Sequence, residues 1–268
     1  MGKIVWLASY PKSGNTWLRA FLHNYITDAA RPHSIDALTD FSVPECAATF
    51  FSGPGDTLTP AQVQRERPAA HETLTRLHDD LVFVKTHNAN VAVHGVPLCT
   101  PALTAGAILL LRDPRDVALS YSAFLGKPLD EVIAFMGNPR AANRGTKLQV
   151  FELLSSWSEH AQSWLQAPNL LVVRYEDLLA APAQYFGRII HFLGGDAAPE
   201  RLARAIAFSR FDALARQEQE AGYRAGGPGH SNFFRVGTAG QWRTRMSGAQ
   251  AARIVTAHGA VMNRFGYL

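Results

Sequence analysis

The residues best equipped for chemistry fall in four short clusters, each directly after an apolar run. Ile4–Ala8 is followed by Ser9-Tyr-Pro-Lys-Ser-Gly-Asn-Thr-Trp17, and Leu81–Val84 by Lys85-Thr-His87. Ala107–Leu111 is followed by Arg112-Asp-Pro-Arg-Asp-Val-Ala-Leu-Ser120, and Leu170–Val173 by Arg174-Tyr-Glu-Asp177. The first cluster has the setting of a phosphate-binding loop, because Thr16–Tyr25 beyond it repeats apolar residues at helical spacing. On the template G-x-x-x-x-G-K-[ST], Gly14 and Thr16 fall in register. Asn15 occupies the lysine position, however, and the loop's own lysine is Lys12. Cations beside such a loop bind an anion, and a histidine can take a proton near neutral pH.

Each cluster also has a plain structural reading. Ser9–Thr16 could be a simple strand-to-helix turn. Asp113 suits an N-cap with Pro114 at the first helical position, which leaves Ser120 an ordinary helical serine. His87 is one of ten histidines, and Gly237, Gly240 and Trp242 could merely close a loop. Lysine usage favours the chemical reading. The chain has five lysines against twenty-one arginines, and two of the five are Lys12 and Lys85. A compact point charge is what such sites use.

The four apolar runs read as buried strands separated by helical patterns, which predicts a parallel sheet covered on both faces. Amphipathic helices are expected over Thr146–Gln166, Asp177–Leu193 and Ala249–Phe265. Residues 28–80 and 217–241 resist this scheme, and the second holds six glycines. Ligands of α/β sheets bind outside the carboxyl ends of the strands, so both stretches are expected to fold over that edge as lids.

The 268 residues are 47% hydrophobic, enough to bury a core as one domain, 1–268. The net charge of +4 suits an anionic ligand but lacks the dense basic stripe of a nucleic-acid binder. Two cysteines, Cys46 and Cys99, form neither a disulfide framework nor a metal pattern. The longest apolar run, Ala107–Leu111, is too short for a membrane span, and the chain enters a strand without a signal-peptide pattern. A cytoplasmic protein is expected.

Taken together, these residues resemble the cytosolic-type sulfotransferases. "YPKSGNTW" is similar to that family's 5′-phosphosulfate loop, and "LRDPRDVALSY" to its 3′-phosphate segment. "KTH" at 85–87, "RYEDL" at 174–178 and "RVGTAGQW" at 235–242 resemble its catalytic-histidine, adenine-proximal and C-terminal motifs, in the same order. The resemblance implies a P-loop-containing three-layer α/β/α fold with a central parallel sheet. It implies 3′-phosphoadenosine 5′-phosphosulfate (PAPS) as donor, adenosine 3′,5′-bisphosphate (PAP) as product, no metal, and a small-molecule hydroxyl acceptor.

The resemblance also implies roles. Lys12 would act on the oxygen bridging sulfur and phosphorus, with the 13–16 backbone (Ser13, Gly14, Asn15, Thr16) on the 5′-phosphate. Arg112, Ser120, Arg235, Val236 and Gly237 would hold the 3′-phosphate. Trp17 and Phe211 would sandwich adenine, with Tyr175 and Ser209 at its edge. His87 would be the general base and Lys85 would offset charge on the sulfuryl group. Activity would fall as pH drops through the histidine pKa. Two departures stand out: Arg243 replaces a lysine after Trp242, and the family's dimerisation signature survives only as Arg243 and Ser247. A dimer is therefore not implied. A P-loop kinase would need the missing lysine, and a non-catalytic nucleotide-binding module would need no "KTH". Phe41, Phe50, Phe51, Phe124, Phe135 and Tyr223 are candidates for an apolar acceptor pocket or for local core.

Overall fold

A computed structural model describes residues 1–223 and 233–268. Its strands are β1 (Lys3–Ser9), β2 (Ser42–Pro44), β3 (Leu81–Thr86), β4 (Ala92–Val93), β5 (Val96–Pro97), β6 (Thr104–Leu111), β7 (Ala142–Asn143), β8 (Glu152–Leu153) and β9 (Leu170–Arg174). Five of them form one sheet in the order β2-β3-β1-β6-β9, and every neighbouring pair is parallel. The remaining four make two small antiparallel pairs, β4-β5 and β7-β8.

Side chains alternate across a strand, so β1 feeds two cores. Ile4, Trp6 and Ala8 pack with Val82, Val84, Leu109 and Leu111 beneath Val117, Trp157, Trp164 and Met262. Val5 and Leu7 pack with Phe83, Ile108 and Leu110 beneath Leu18, Phe21, Phe186 and Ile189. Helices thus cover both faces, as the three-layer expectation requires. Parallel strands align their carboxyl ends, and that places Ser9, Pro44, Thr86, Leu111 and Arg174 along one edge.

The helical expectations hold in part. Gly248–Arg264 is helical, capped by Ser247 and Gln250. The helix expected over 146–166 shrinks to Trp157–Trp164, started by a Ser156–Glu159 capping box. Upstream, the Val150 N–H donates to the Cys46 carbonyl at 2.7 Å, and Leu148 is 80% exposed. Pairing with a distant segment has displaced the local helix. The expected 177–193 helix is two, Tyr175–Ala180 and Pro182–Phe192, because Pro182 cannot continue the first.

Residues 28–80 are not mainly a cover over the site. They contain the helix Pro60–Leu74, opened by a Thr59–Gln62 capping box. That helix buries Arg67 and His71 completely, and both bind the equally buried Glu45. Among the described residues, no helix is long and apolar enough to cross a membrane.

Candidate active site

A cavity of about 1450 Å³ opens at the carboxyl edge of the sheet, and all four sequence clusters reach it. It is lined by Lys12, Gly14, Asn15, Thr16, Trp17, Lys85, His87, Arg112, Ser120 and Tyr175. The second excursion contributes Phe233, Phe234, Arg235, Val236 and Gly237, while only Thr39 and Pro44 come from 28–80. Residues 224–232, and with them His230 and part of the expected 217–241 lid, lie outside the described residues.

The first loop turns on Lys12 and Gly14, at φ of 67° and 100°. A Cβ at Gly14 would lie 2.7 Å from the Tyr175 ring, so glycine answers both the backbone angle and the close approach. Asn15 points inward. Its side-chain amide donates to the Leu7 carbonyl at 2.9 Å and to Ser9 Oγ at 3.2 Å, tying the loop to β1. The position that a lysine would fill in the standard template is therefore a brace.

Lys12 itself faces the cavity, its ammonium 3.7 Å from the centre of the Phe233 ring and 4.3 Å from that of Phe124. Burial lowers its pKa to about 7, and the positive charges of Arg112 and Arg235 add to the effect. Three cations converge here, and Lys12 gains little relief from Glu218. Such a pocket favours an anion.

Arg112 spans the site from the end of β6. Its guanidinium donates to the carbonyls of Lys12 and Thr238, both at 3.0 Å, and lies 4.4 Å from the Tyr175 ring centre. Its Nε is buried without a partner, as is Ser13 Oγ. Asp113 caps the helix Pro114–Leu125 and pairs with Arg115, so the structural reading of that stretch holds beside the chemical one. The next residue was missed in the sequence. Asp116 accepts the N–H groups of Gly240 and Trp242 at 2.5 and 2.9 Å, and so fastens the C-terminal segment over the cavity. Gly237, at φ 69°, lies against Phe211, where a Cβ would fall 2.2 Å from the ring. Trp242 packs its ring 3.7 Å from the Arg115 guanidinium.

At the end of β3, His87 Nδ1 donates to the Ser9 carbonyl at 2.7 Å. That bond fixes the tautomer and leaves Nε2 with its lone pair free to take a proton. Burial, assisted by Lys85, lowers the imidazole pKa to about 3. Glu152, also unforeseen, completes this corner. It lies 3.9 Å from Lys85 Nζ and accepts the His87 backbone N–H at 3.2 Å and the Asn143 amide at 3.1 Å. Burial would raise its pKa, but Lys85 and these partners hold it at about 2.

Two candidates do not reach the cavity wall. Ser13 is buried behind the loop, and Ser209 is fully buried with its hydroxyl donating to the Ala205 and Ile206 carbonyls. Trp17 and Phe211 both do, Trp17 standing edge-on to Tyr175 and Phe186. The aromatic candidates divide. Phe124, Phe135 and Tyr223 line the cavity, whereas Phe41 stacks on Phe83 and Phe50 and Phe51 pack into local core.

A phosphate-loop turn, three convergent cations and a histidine thus meet at the carboxyl edge of a parallel sheet. The model of the sulfotransferase domain matches residues 3–266, and the chain belongs to that family. It is 30% identical to mouse sulfotransferase 2A2 over 157 residues, 55% of this chain and 53% of that protein. It is 23% identical to zebrafish sulfotransferase 6B1 over 262 residues, 92% of this chain and 74% of the relative. The chain spans about half the length of the first curated relatives it matches. In fold it is similar to mouse sulfotransferase SULT7A1 complexed with PAP, with a TM-score of 0.64 at 18% identity, over 97% of this chain and 84% of the other. Retinol dehydratase in complex with retinol and PAP also scores 0.64 at 18% identity, over 97% and 81%.

Proposed function

We propose that the protein transfers the sulfuryl group of PAPS to the hydroxyl of a small molecule by in-line displacement. The observation that carries this reading is the convergence of Lys12, Arg112 and Arg235 in one cavity that a tautomer-fixed His87 also lines. In this reading His87 Nε2 takes the acceptor's hydroxyl proton as its oxygen bonds to sulfur. The bond between sulfur and the bridging oxygen breaks, its electron pair stays on the 5′-phosphate of PAP, and Lys12 stabilises that charge. The imidazolium then releases its proton to solvent. Lys85 offsets charge on the sulfuryl oxygens.

The donor's phosphates fit the residues present. Arg112, Ser120, Arg235 and the Val236–Gly237 backbone serve the 3′-phosphate, and the 13–16 backbone at the helix N-terminus serves the 5′-phosphate. Trp17 and Phe211 take the adenine between them, with Tyr175 at its edge. Ser209 would act there only after turning its hydroxyl from the helix carbonyls. The apolar wall of Phe124, Val132 and Phe135 suits a phenol or lipophilic alcohol. The test is sulfuryl transfer from labelled PAPS, compared with phosphoryl transfer from ATP.

PAP is expected to raise the melting temperature well above the shift given by AMP, since only PAP engages Arg112, Ser120 and Arg235. Equal shifts from the two nucleotides would show that the 3′-phosphate contacts are misassigned.

PAP binding at pH 8 is also expected to take up a proton. Free Lys12, with a pKa near 7, is mostly neutral at that pH, and a neighbouring polyanion restores its charge. Binding heats measured in two buffers of different ionisation enthalpy should therefore differ. Identical heats would mean that Lys12 does not meet the phosphates.

A further inference from the structure

Glu152 has no part in the mechanism above, yet it stands on the cavity wall beside the base His87 and the cation Lys85. An ionised carboxylate that is only 2% exposed carries a desolvation cost, and stability alone could be served by an apolar residue. Its partners explain its position. One oxygen, Oε1, accepts the His87 N–H and faces the Lys85 ammonium, and the other accepts from Asn143. Asn143 in turn accepts the Tyr121 hydroxyl at 3.2 Å. The short β7-β8 pair, with Asn143 opposite Glu152, builds this arrangement into the backbone.

We infer that Glu152 is a positioning residue for sulfuryl transfer, seating the base His87 and sharing Lys85 with the incoming sulfuryl group. The inference rests on the sulfotransferase reading of the site. His87 is faced by Lys85 from β3, the Ser9 carbonyl from β1, Glu152 from β8 and His160 from the helix Trp157–Trp164. When Nε2 takes the acceptor's proton, a cation forms beside Lys85. The Glu152 carboxylate is the one anion among these four neighbours, and it offsets the charge as it develops. Lys85 can swing toward the sulfuryl group while Oε1 keeps its hold on the His87 backbone. Removing the charge weakens the base, and acceptors with tightly held protons suffer most.

The test is Glu152→Gln, assayed with substituted phenols whose hydroxyl pKa values run from acidic to ordinary. Water, followed as PAP release from the donor, is the least acidic acceptor. Transfer to the least acidic acceptors should fall about 10-fold or more, while the most acidic phenols lose far less. The Kd for PAP should stay within about two-fold, because Glu152 faces the acceptor side. In a His87→Ala background the dependence on acceptor acidity should vanish, since that part acts through the base, and only an even loss through Lys85 should be left. A uniform loss across all acceptors would reduce Glu152 to a structural group and overturn the inference, as would an undiminished Glu152→Gln enzyme. Should the Glu152→Gln variant fail to fold, Asn143→Ala keeps the charge and frees the carboxylate, and it should lean the same way with acceptor acidity. An even effect there overturns the inference equally. Wild type that neither binds PAP nor releases it from the donor would remove the sulfotransferase reading itself, a different result from either.

Discussion

Replacing His87 by alanine is expected to lower kcat at least ~10²-fold, within the usual range for general acid–base catalysis. The Kd for PAP should hardly move, because in the proposed reading the imidazole, anchored on the Ser9 carbonyl, meets the acceptor's hydroxyl and no phosphate. The pH profile should separate this base from an exposed one. A base works while neutral, so its contribution is present above its pKa and lost as pH falls below it. Burial and Lys85 put that point at about 3 for His87. With chemistry limiting and the donor saturating, kcat/KM for the acceptor should therefore stay level from pH 7 down to 5, where an unperturbed imidazole would already have lost most of its activity. An acid limb near 6.5 would refute this placement of the pKa. A fully active His87→Ala enzyme would remove the assignment itself. Of the other candidates, His71 is buried against Glu45, His94 is exposed in the β4-β5 turn, and His230 lies outside the described residues.

What was legible in the sequence follows from how local each signal is. β1, β3 and β6 were readable because a strand buried on both faces is a continuous apolar run, and the edge strand β9 because Leu170–Val173 is such a run as well. β2 was not, because Ser42-Val-Pro44 carries no such run and is set by its pairing with β3. The helices Pro60–Leu74 and Trp157–Trp164 had written signals, in Thr59-Pro60 with Gln62 and in Ser156 with Glu159. Apolar periodicity across Leu148 and Phe151 outweighed the second of these and extended the helix too far. The cavity was legible because the strand ends carry its cations in sequence order. Glu152 and Asp116 were not, since each works through partners far along the chain, as Asp116 does with Gly240 and Trp242. Nothing local distinguishes such a carboxylate from a surface one.

Lys12→Ala is expected to damage both donor affinity and turnover, unlike His87→Ala. The two effects have separate causes. In the bound donor the ammonium meets phosphate charge, and charge-assisted hydrogen bonds of this kind contribute roughly 1.5–3 kcal/mol, which is about 10- to 100-fold in Kd for PAP. In the transition state it also meets charge developing on the bridging oxygen, and loss of one such donor typically lowers kcat by ~10²- to 10³-fold. The backbone adds little to either, since Lys12 already sits at φ 67° and alanine inherits the same strain. Arginine should not rescue the variant, because its planar fork has to enter the space between Phe124 and Phe233 that now holds a compact ammonium. Calorimetry with PAP and single-turnover transfer from PAPS measure the two terms independently. A variant with weakened PAP binding but normal turnover would place Lys12 on the phosphates alone, and the charge on the leaving oxygen would then have to be met by the backbone N–H groups of residues 13–16.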